Sequence, residues 1–247
     1  MASASALRRE AWREGLSCLM LLTLLAGSAG KLAEFGPWFH IKAVAVFCAA
    51  FILVLRGLAA HAPNRRFGSA NRVTLARLAL IALLAAGIGE SLGHADAIAW
   101  ATVFIATTAA LLDALDGPLA RAHGASSEFG ARFDMETDAL MVLVLGMLVV
   151  DFGKAGPWVL AAGLMRYAFV LAARFWPWLA RPLPPSTRRK TVCVVQITAL
   201  IVCLSPVVPS VWSQAVAAAS LVALTASFAV DIAWLARQRH PIREIAS

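Results

Sequence analysis

The sequence predicts an all-α fold, a polytopic bundle of eight transmembrane helices, from its composition, its apolar runs and the placement of its basic residues. Of the 247 residues, 60% are hydrophobic and 15% are charged, whereas soluble domains carry roughly 45–50% apolar and about 25% charged residues. A bilayer-spanning helix needs about 20 mostly apolar residues. Eight such helices use most of the chain, which excludes a disordered chain, a coiled coil and an ordinary soluble enzyme.

Eight continuous apolar runs supply the predicted spans. In order they cover residues 15–30, 41–60, 73–89, 95–112, 133–150, 157–173, 191–207 and 211–235. Each run stops where charged, polar or helix-breaking residues appear, as expected at the ends of a hydrocarbon-spanning segment. Two residues flank each run, one at each end and at most two positions away. In run order, these pairs are Glu14 and Lys31, His40 and His61, Arg72 and Glu90, His94 and Asp113, Arg132 and Asp151, Gly156 and Arg174, Lys190 and Pro209, and Ser210 and Arg237.

The basic residues predict the orientation of the bundle. If the N-terminus is cytoplasmic and every span crosses once, eighteen basic residues lie on the cytoplasmic side and three on the opposite side, with Arg166 in mid-span. This asymmetry follows the positive-inside rule and places both termini inside. The cytoplasmic residues are Arg8, Arg9, Arg13, Arg56, Arg65, Arg66, Arg72, Arg77, Arg121, Arg132, Arg174, Arg181, Arg188, Arg189, Lys190, Arg237, Arg239 and Arg243; the others are Lys31, Lys42 and Lys154.

Three further interpretations concern location and charge. The Ala- and Arg-rich, Lys-poor usage is typical of a GC-rich bacterium, which predicts the cell inner membrane.

The first run also resembles a secretory signal peptide, because arginines precede a short apolar stretch and an Ala-Gly-Ser-Ala segment. Removal of this run would leave the downstream orientation unchanged. The net charge of +8 does not indicate nucleic-acid binding, since most arginines stand at the ends of apolar runs, where they anchor against lipid headgroups.

The acidic residues are concentrated in one segment. Six of the fourteen fall between Asp113 and Asp138, and four of these are aspartates at or inside the ends of apolar helices. Ionisable groups in such positions cost several kcal/mol and by default mark a functional site. The other two, Glu128 and Glu136, lie in the connection or point away from the aspartates, and we interpret them as interfacial charges.

The spacing of the aspartates places them on two helical stripes. Asp113 and Asp116 share about 140° of arc on one helix with Gly117, Ala120 and Arg121.

The second stripe, on the next helix, consists of Gly130, Asp134 and Asp138, spaced by four residues. A short connection makes the two helices antiparallel neighbours, so the stripes face one another near the cytoplasmic boundary. Four converging carboxylates suit hard divalent cations, Mg²⁺ or Mn²⁺, better than zinc.

These residues together resemble the signature of the CDP-alcohol phosphotransferases. The pattern Asp113-x2-Asp116-Gly117-x2-Ala120-Arg121-x8-Gly130-x3-Asp134-x3-Asp138 fills all eight fixed positions. Two weaker similarities lie outside it: Asn71-x2-Thr74-x2-Arg77 resembles the start of the family's first core helix, and Lys190-Thr191 resembles the opening of its fifth.

The resemblance implies a domain organisation and a reaction. The family's six-helix core corresponds to residues 70–247, and residues 1–69 form an N-terminal extension with two transmembrane helices and no assigned role. The reaction is transfer of a phosphatidyl group from a CDP-linked lipid to a polar alcohol with release of CMP, in phospholipid biosynthesis. Relatives are often homodimers, which the sequence itself does not show.

The resemblance also implies a role for each signature residue. Asp113, Asp116 and Asp134 would ligate two metal ions, Mg²⁺ or Mn²⁺, and Asp138 would complete the site and act as the general base on the acceptor hydroxyl. The cytidine nucleotide would be seated by Gly117, Ala120, Arg121 and Gly130. Residue chemistry agrees, because metals and an arginine neutralise the charge that develops when CMP leaves a pyrophosphate.

The acceptor alcohol is the least determined part of this prediction. Arg166 lies in mid-span, where an unpaired guanidinium is costly, so one of the aspartates or a bound phosphate should meet it. Together with Arg174, Arg188, Arg189 and Lys190 it frames a candidate pocket for a phosphorylated acceptor. An arginine in this helix also resembles the glycerol-phosphate-using members of the family, so glycerol 3-phosphate is favoured, with serine, inositol phosphate or another alcohol as alternatives.

Two other classes of function compete with this one. A metal or proton transporter would carry ionisable residues on several spans and through the depth of the membrane, whereas here the carboxylates cluster at one side. A catalytically inactive scaffold derived from the family would not need the intact set of four aspartates.

Overall fold

The computed structural model describes residues 2–58, 67–90, 95–122 and 127–238, with side chains from residue 6 onward and none for 115–122. This part of the chain is helical, with no strand, and confirms the predicted all-α class. Its α-helices are α1 (Ala2–Leu32), α2 (Pro37–Gly57), α3 (Ser69–Ala86), α4 (Ala95–Ala122), α5 (Glu128–Asp151), α6 (Ala161–Phe175), α7 (Thr187–Leu204) and α8 (Ser210–Arg237), and short 3-10 helices cover Pro157–Leu160 and Pro177–Ala180.

Six helical segments in the described chain are long and apolar enough to cross a membrane. They are α1, α2, α3, the first part of α4, Pro157–Phe175 and α8. The other two helices, α5 and α7, carry the charged residues near their N-termini that lower their apolarity. A multi-pass membrane protein is thus confirmed, and both helices that depart from a purely apolar composition carry predicted site residues.

Several helices extend beyond the apolar runs that predicted them. Helix α4 continues to Ala122 and α5 begins at Glu128, so all four signature aspartates lie on helices. Ser127 caps α5 by accepting the Gly130 N–H at 3.0 Å, which satisfies one of the free N–H groups of the first turn. An apolar run marks only the part of a helix that meets hydrocarbon, and polar residues extend the helix further.

Helix α3 occupies the centre of the bundle. It packs against α1, α2, α4 and α5, while α7 packs against α4, α5 and α8. One apolar cluster joins α3, α4, α5 and α7 through side chains such as Ile81, Met141 and Leu200. A second joins α1, α2, α3 and the start of α5. Since α3 packs against four helices and contributes to both clusters, it joins the two halves of the bundle.

Glycine permits one close contact that orients α6. A Cβ atom on Gly163 would lie 2.5 Å from the Leu143 Cα, a separation that side chains do not tolerate, so the backbones of α5 and α6 are in direct contact. This contact lies one turn before Arg166 on α6 and determines which α5 residue that arginine meets.

Candidate active site

The centre of the site is a single arginine among three carboxylates. Arg77 on α3 is fully buried. Its Nη1 lies 2.6 Å from the Asp113 Oδ1 and 2.7 Å from the Asp134 Oδ1, and its Nη2 lies 2.5 Å from the Asp138 Oδ1. These distances are those of charge-assisted hydrogen bonds. The guanidinium therefore holds carboxylates from two different helices in one group.

The local sequence explains why these carboxylates converge. Asp134 and Asp138 are four residues apart on α5, which places them on one face of the helix, and Asp113 lies near the end of the apolar part of α4. Sequence spacing indicated that α4 and α5 face one another directly. In the structure the described part of α4 packs mainly on α3 and α7, and the carboxylates meet through Arg77 of α3.

The donor set fits a hard divalent cation. One carboxylate oxygen from each of Asp113, Asp134 and Asp138 lies within 4.8 Å of the others. Their side chains keep 24%, 40% and 21% of their surface exposed, so the group is open to a ligand from one side. Three carboxylates against one guanidinium leave an excess of negative charge, and oxygen donors are those that Mg²⁺ and Mn²⁺ prefer.

The remaining signature residues of α4 lie outside the described side chains. Asp116, Gly117, Ala120 and Arg121 are on the last turns of this helix, and their predicted roles stay predictions.

Gly130 marks a close contact between α5 and α3. A Cβ atom at this position would stand 3.0 Å from the Asn71 Oδ1 and 3.2 Å from the Ser127 Oγ, both closer than ordinary packing. The Asn71 side chain is buried and its Nδ2 donates to the Phe67 carbonyl at 2.5 Å. Gly130 is therefore required for the approach of α3, in addition to the nucleotide contact that the sequence predicts for it.

Sequence reasoning overlooked two residues of this site. The sequence indicated Arg77 only as a cytoplasmic basic residue and as part of a weak similarity, although a charged residue inside a span is itself a signal of function. Cys193 on α7 belongs to no motif, and its Sγ lies 3.8 Å from the Asp138 Oδ2. No sequence signal identifies this contact, because it depends on how α7 packs against α5.

Arg166 forms an ion pair with Glu136, a residue to which the sequence assigns no part in the site. Its Nη2 lies 2.5 Å from the Glu136 Oε1, whereas an aspartate or a phosphate was expected there. Glu136 points away from the Asp134 and Asp138 face, as predicted, and that direction leads to α6. Glu136, which the sequence indicates is an interfacial charge, is thus half-exposed and forms an ion pair between α5 and α6.

The other basic residues of the candidate acceptor pocket separate into two groups. Arg188 donates to the Ser227 carbonyl at 2.6 Å and pairs with Asp231, which also lies 3.5 Å from the Arg189 Nη1. These two arginines join α7 to α8. Arg174 and Lys190 are exposed and make no hydrogen bond or ion pair with any residue in the described ranges.

Comparison with known proteins identifies the family of the chain. A family model described as CDP-alcohol phosphatidyltransferase matches residues 67–230, which is more than half of the chain and includes Arg77 and every signature aspartate. No curated protein and no solved structure gives a significant match.

Proposed function

The chain belongs to the CDP-alcohol phosphatidyltransferase family, and from that premise we propose that it moves a phosphatidyl group from CDP-diacylglycerol to glycerol 3-phosphate and releases CMP. Members of this family are transferases of substituted phosphate groups and act in phospholipid synthesis, which sets aside the transporter interpretation. The observation that carries the proposal is the group of Asp113, Asp134 and Asp138 around Arg77, with its excess of negative charge and its exposed side.

The carboxylates divide into ligands and a base. Asp113 and Asp134, with Asp116, would hold two Mg²⁺ or Mn²⁺ ions, and Asp138 would complete the site. When bound, the ions supply Lewis-acid stabilisation of the charge on the pyrophosphate. Arg77 keeps the carboxylates in place and offsets part of their mutual repulsion.

Asp138 is the residue that we assign to proton transfer. Its carboxylate takes the proton of the acceptor hydroxyl while the acceptor oxygen forms its bond to the phosphorus that carries the diacylglycerol. The bond from that phosphorus to the bridging oxygen breaks, and CMP leaves with the bridging oxygen. A positioned carboxylate at hydrogen-bond distance is suited to this step.

The nucleotide would occupy the small-residue surface beside the carboxylates. We assign this seat to Gly117, Ala120, Arg121 and Gly130. The support for this assignment is the family signature that these four residues complete, since the space beside Gly130 is taken by the Asn71 and Ser127 side chains.

The acceptor phosphate would be bound by Arg166, with Arg174 and Lys190 contributing charge. The Arg166 side chain is partly exposed, and its ion pair with Glu136 uses only Nη2, so Nη1 remains as a donor for a phosphate. Arginine binds phosphate through such a set of parallel donors. Arg188 and Arg189 already have carboxylate and carbonyl partners and would act on the acceptor only indirectly.

Location follows from the basic residues and the apolar helices. We propose a multi-pass protein of the cell inner membrane with both termini and the active site on the cytoplasmic side, functioning as a homodimer. This side gives access to a soluble acceptor, while the lipid tails of the donor remain in the bilayer.

The deciding experiment uses purified protein in detergent or liposomes. CMP release from CDP-diacylglycerol is measured with glycerol 3-phosphate, serine, inositol phosphate and a neutral alcohol in turn, with Asp113→Asn as the inactive control. The proposal requires release with glycerol 3-phosphate. Release only with serine would overturn the acceptor assignment, and no release with any acceptor would overturn the proposed reaction.

A further inference from the structure

Helix α3 carries Arg77 and is attached at both of its ends to the two helices that precede the family match. The match begins at residue 67, so α1 and α2 lie entirely before it. Both pack along α3, and no role is assigned to either. Their polar contacts fall on the two ends of one helix, which is the arrangement needed to fix its position.

The first attachment is made by Glu10 of α1. Its Oε2 accepts the Phe67 backbone N–H at 3.2 Å, and its Oε1 accepts from the Arg72 Nη2 at 2.8 Å. One carboxylate thus contacts a residue two positions before α3 and a residue in the first turn of this helix. Glu14 lies one turn further along α1. Of Phe67 and Arg72, it contacts only Arg72, whose Nη2 lies 3.3 Å from the Glu14 Oε1.

A chain of contacts connects this attachment with the site. Phe67, whose N–H is held by Glu10, accepts the Asn71 Nδ2 at its carbonyl. Its ring is fully buried and lies 6.4 Å from the ring of Phe129 on α5. Asn71 in turn stands against Gly130. The contact of Glu10 is therefore continuous with the contact between α3 and α5, the helix that carries two of the three carboxylates.

The second attachment is at the other end of α3. The Lys42 Nζ on α2 donates to the Ile88 carbonyl at 2.7 Å and lies 2.6 Å from the Glu90 Oε1. The Glu90 Oε2 accepts the Gly36 N–H at 3.1 Å. The turn between α1 and α2 and the first turns of α2 are thereby joined to the residues that follow α3.

Apolar packing fills the space between the two attachments. Side chains of α1 and α2 and those of α3 belong to one buried cluster, which includes Phe39, Phe47, Leu75, Leu78 and Ala82. Between helices in a bilayer this packing acts through van der Waals contacts, and the polar contacts at the two ends add the directional interactions that specify the register.

We propose that the N-terminal helices are a positioning element for the active site, and that Glu10 is a positioning residue that sets the register of α3 and hence the place of Arg77 among the carboxylates. A slip of one residue along a helix is about 1.5 Å and 100° of rotation, whereas a working site must be held within about 0.5 Å. The proposal rests on the proposed metal-dependent reaction, because the carboxylates that Arg77 organises are its metal ligands.

The test compares Glu10→Ala with Glu14→Ala, two matched changes one turn apart on the same helix. Both remove a partner of Arg72, but only the first removes the acceptor for the Phe67 N–H. Purified proteins are assayed for Mn²⁺ binding by electron paramagnetic resonance, for kcat and donor KM in CMP release, and for amide exchange in residues 67–90.

We expect Glu10→Ala to lower kcat and Mn²⁺ affinity by about tenfold or more, since small misplacements of catalytic groups have effects of this size, and to speed amide exchange at the start of α3. Glu14→Ala should stay within about twofold of wild type in all three. If Glu10→Ala does not fold, Glu10→Met, which keeps the length of the side chain and removes both acceptor oxygens, must show the same effects.

The outcomes separate this inference from the proposed function. Wild-type protein that neither binds Mn²⁺ nor releases CMP overturns the proposed reaction, and the amide exchange of the variants then decides whether Glu10 fixes α3. A folded Glu10 variant with wild-type Mn²⁺ affinity, kcat and exchange overturns the positioning role. Equal effects of Glu10→Ala and Glu14→Ala also overturn it, because they would indicate a general loss of stability.

Discussion

Arg77 and Asp138 are in direct contact, with the guanidinium Nη2 2.5 Å from the carboxylate Oδ1, although 61 residues of sequence separate them. The other terminal nitrogen of the same guanidinium bonds to Asp113 and Asp134. The Arg77 guanidinium therefore orients both the carboxylate assigned as the base and the carboxylates assigned as metal ligands. A change at Arg77 should affect proton transfer as well as metal binding.

Replacing Arg77 should destabilise the protein in a way that metal reverses. Arg77→Met leaves three carboxylates without their cation, and removing one partner from a buried pair costs about 3–5 kcal/mol. The carboxylates retain solvent contact, so we expect about 1–3 kcal/mol, seen as a lower Tm in metal-free detergent solution. Added Mg²⁺ should restore most of the loss. Arg13→Met, which removes an exposed ion pair with Glu14, is the control and should change Tm little.

Activity should depend on a divalent cation. EDTA is expected to abolish CMP release, and Mg²⁺ or Mn²⁺ to restore it, because the carboxylates of Asp113 and Asp134 cannot by themselves offset the charge on a pyrophosphate. The measurement is CMP release after chelation and after metal titration. Full activity in metal-free buffer would contradict the assignment of these aspartates as ligands.

Asp113→Asn and Asp138→Asn should impair different steps of the reaction. Asp113→Asn removes a charged ligand and is expected to weaken both metal binding and turnover. A general base contributes typically 10²–10⁴-fold, so Asp138→Asn should lower kcat by about this factor and leave donor affinity close to wild type. Equilibrium binding of CDP-diacylglycerol checks the difference, and equal loss in both variants would make Asp138 chiefly a metal ligand.

Arg166 should affect the acceptor and leave the donor unaffected. In Arg166→Ala the KM for glycerol 3-phosphate is expected to rise by about tenfold or more, since hydrogen bonds to charged groups contribute about 1.5–3 kcal/mol. Glu136→Gln removes the same ion pair and keeps the guanidinium, so its acceptor KM should stay level or fall. A similar rise in both variants would assign the pair to joining α5 and α6 only.

Gly163 should be intolerant of any side chain. Gly163→Ala places a Cβ against the Leu143 backbone, and overpacking of this kind costs about 1–3 kcal/mol. Gly27→Ala is the matched control, because its Cβ would meet only the His40 ring at 3.6 Å, an ordinary contact. We expect a lower Tm for the first variant and an unchanged or raised Tm for the second.

Local features of the sequence determined much of this protein. Apolar runs predicted each of the eight α-helices in the described ranges, because the bilayer requires about 20 mostly apolar residues wherever a chain crosses it. The spacing of Asp134 and Asp138 predicted a shared helical face, because the period of the helix is known in advance. Both are properties of short stretches and can be read without knowing which helices are neighbours.

Only the tertiary structure decided which charges meet. Arg77 joins three helices, and the pairs of Glu136 with Arg166 and of Asp231 with Arg188 each join two. Such pairs follow from the packing and rotation of whole helices, and a sequence lists the charged residues of a membrane bundle without stating their partners. The same holds for Glu10, which lies outside every motif and reaches the start of α3 only because α1 folds back along it.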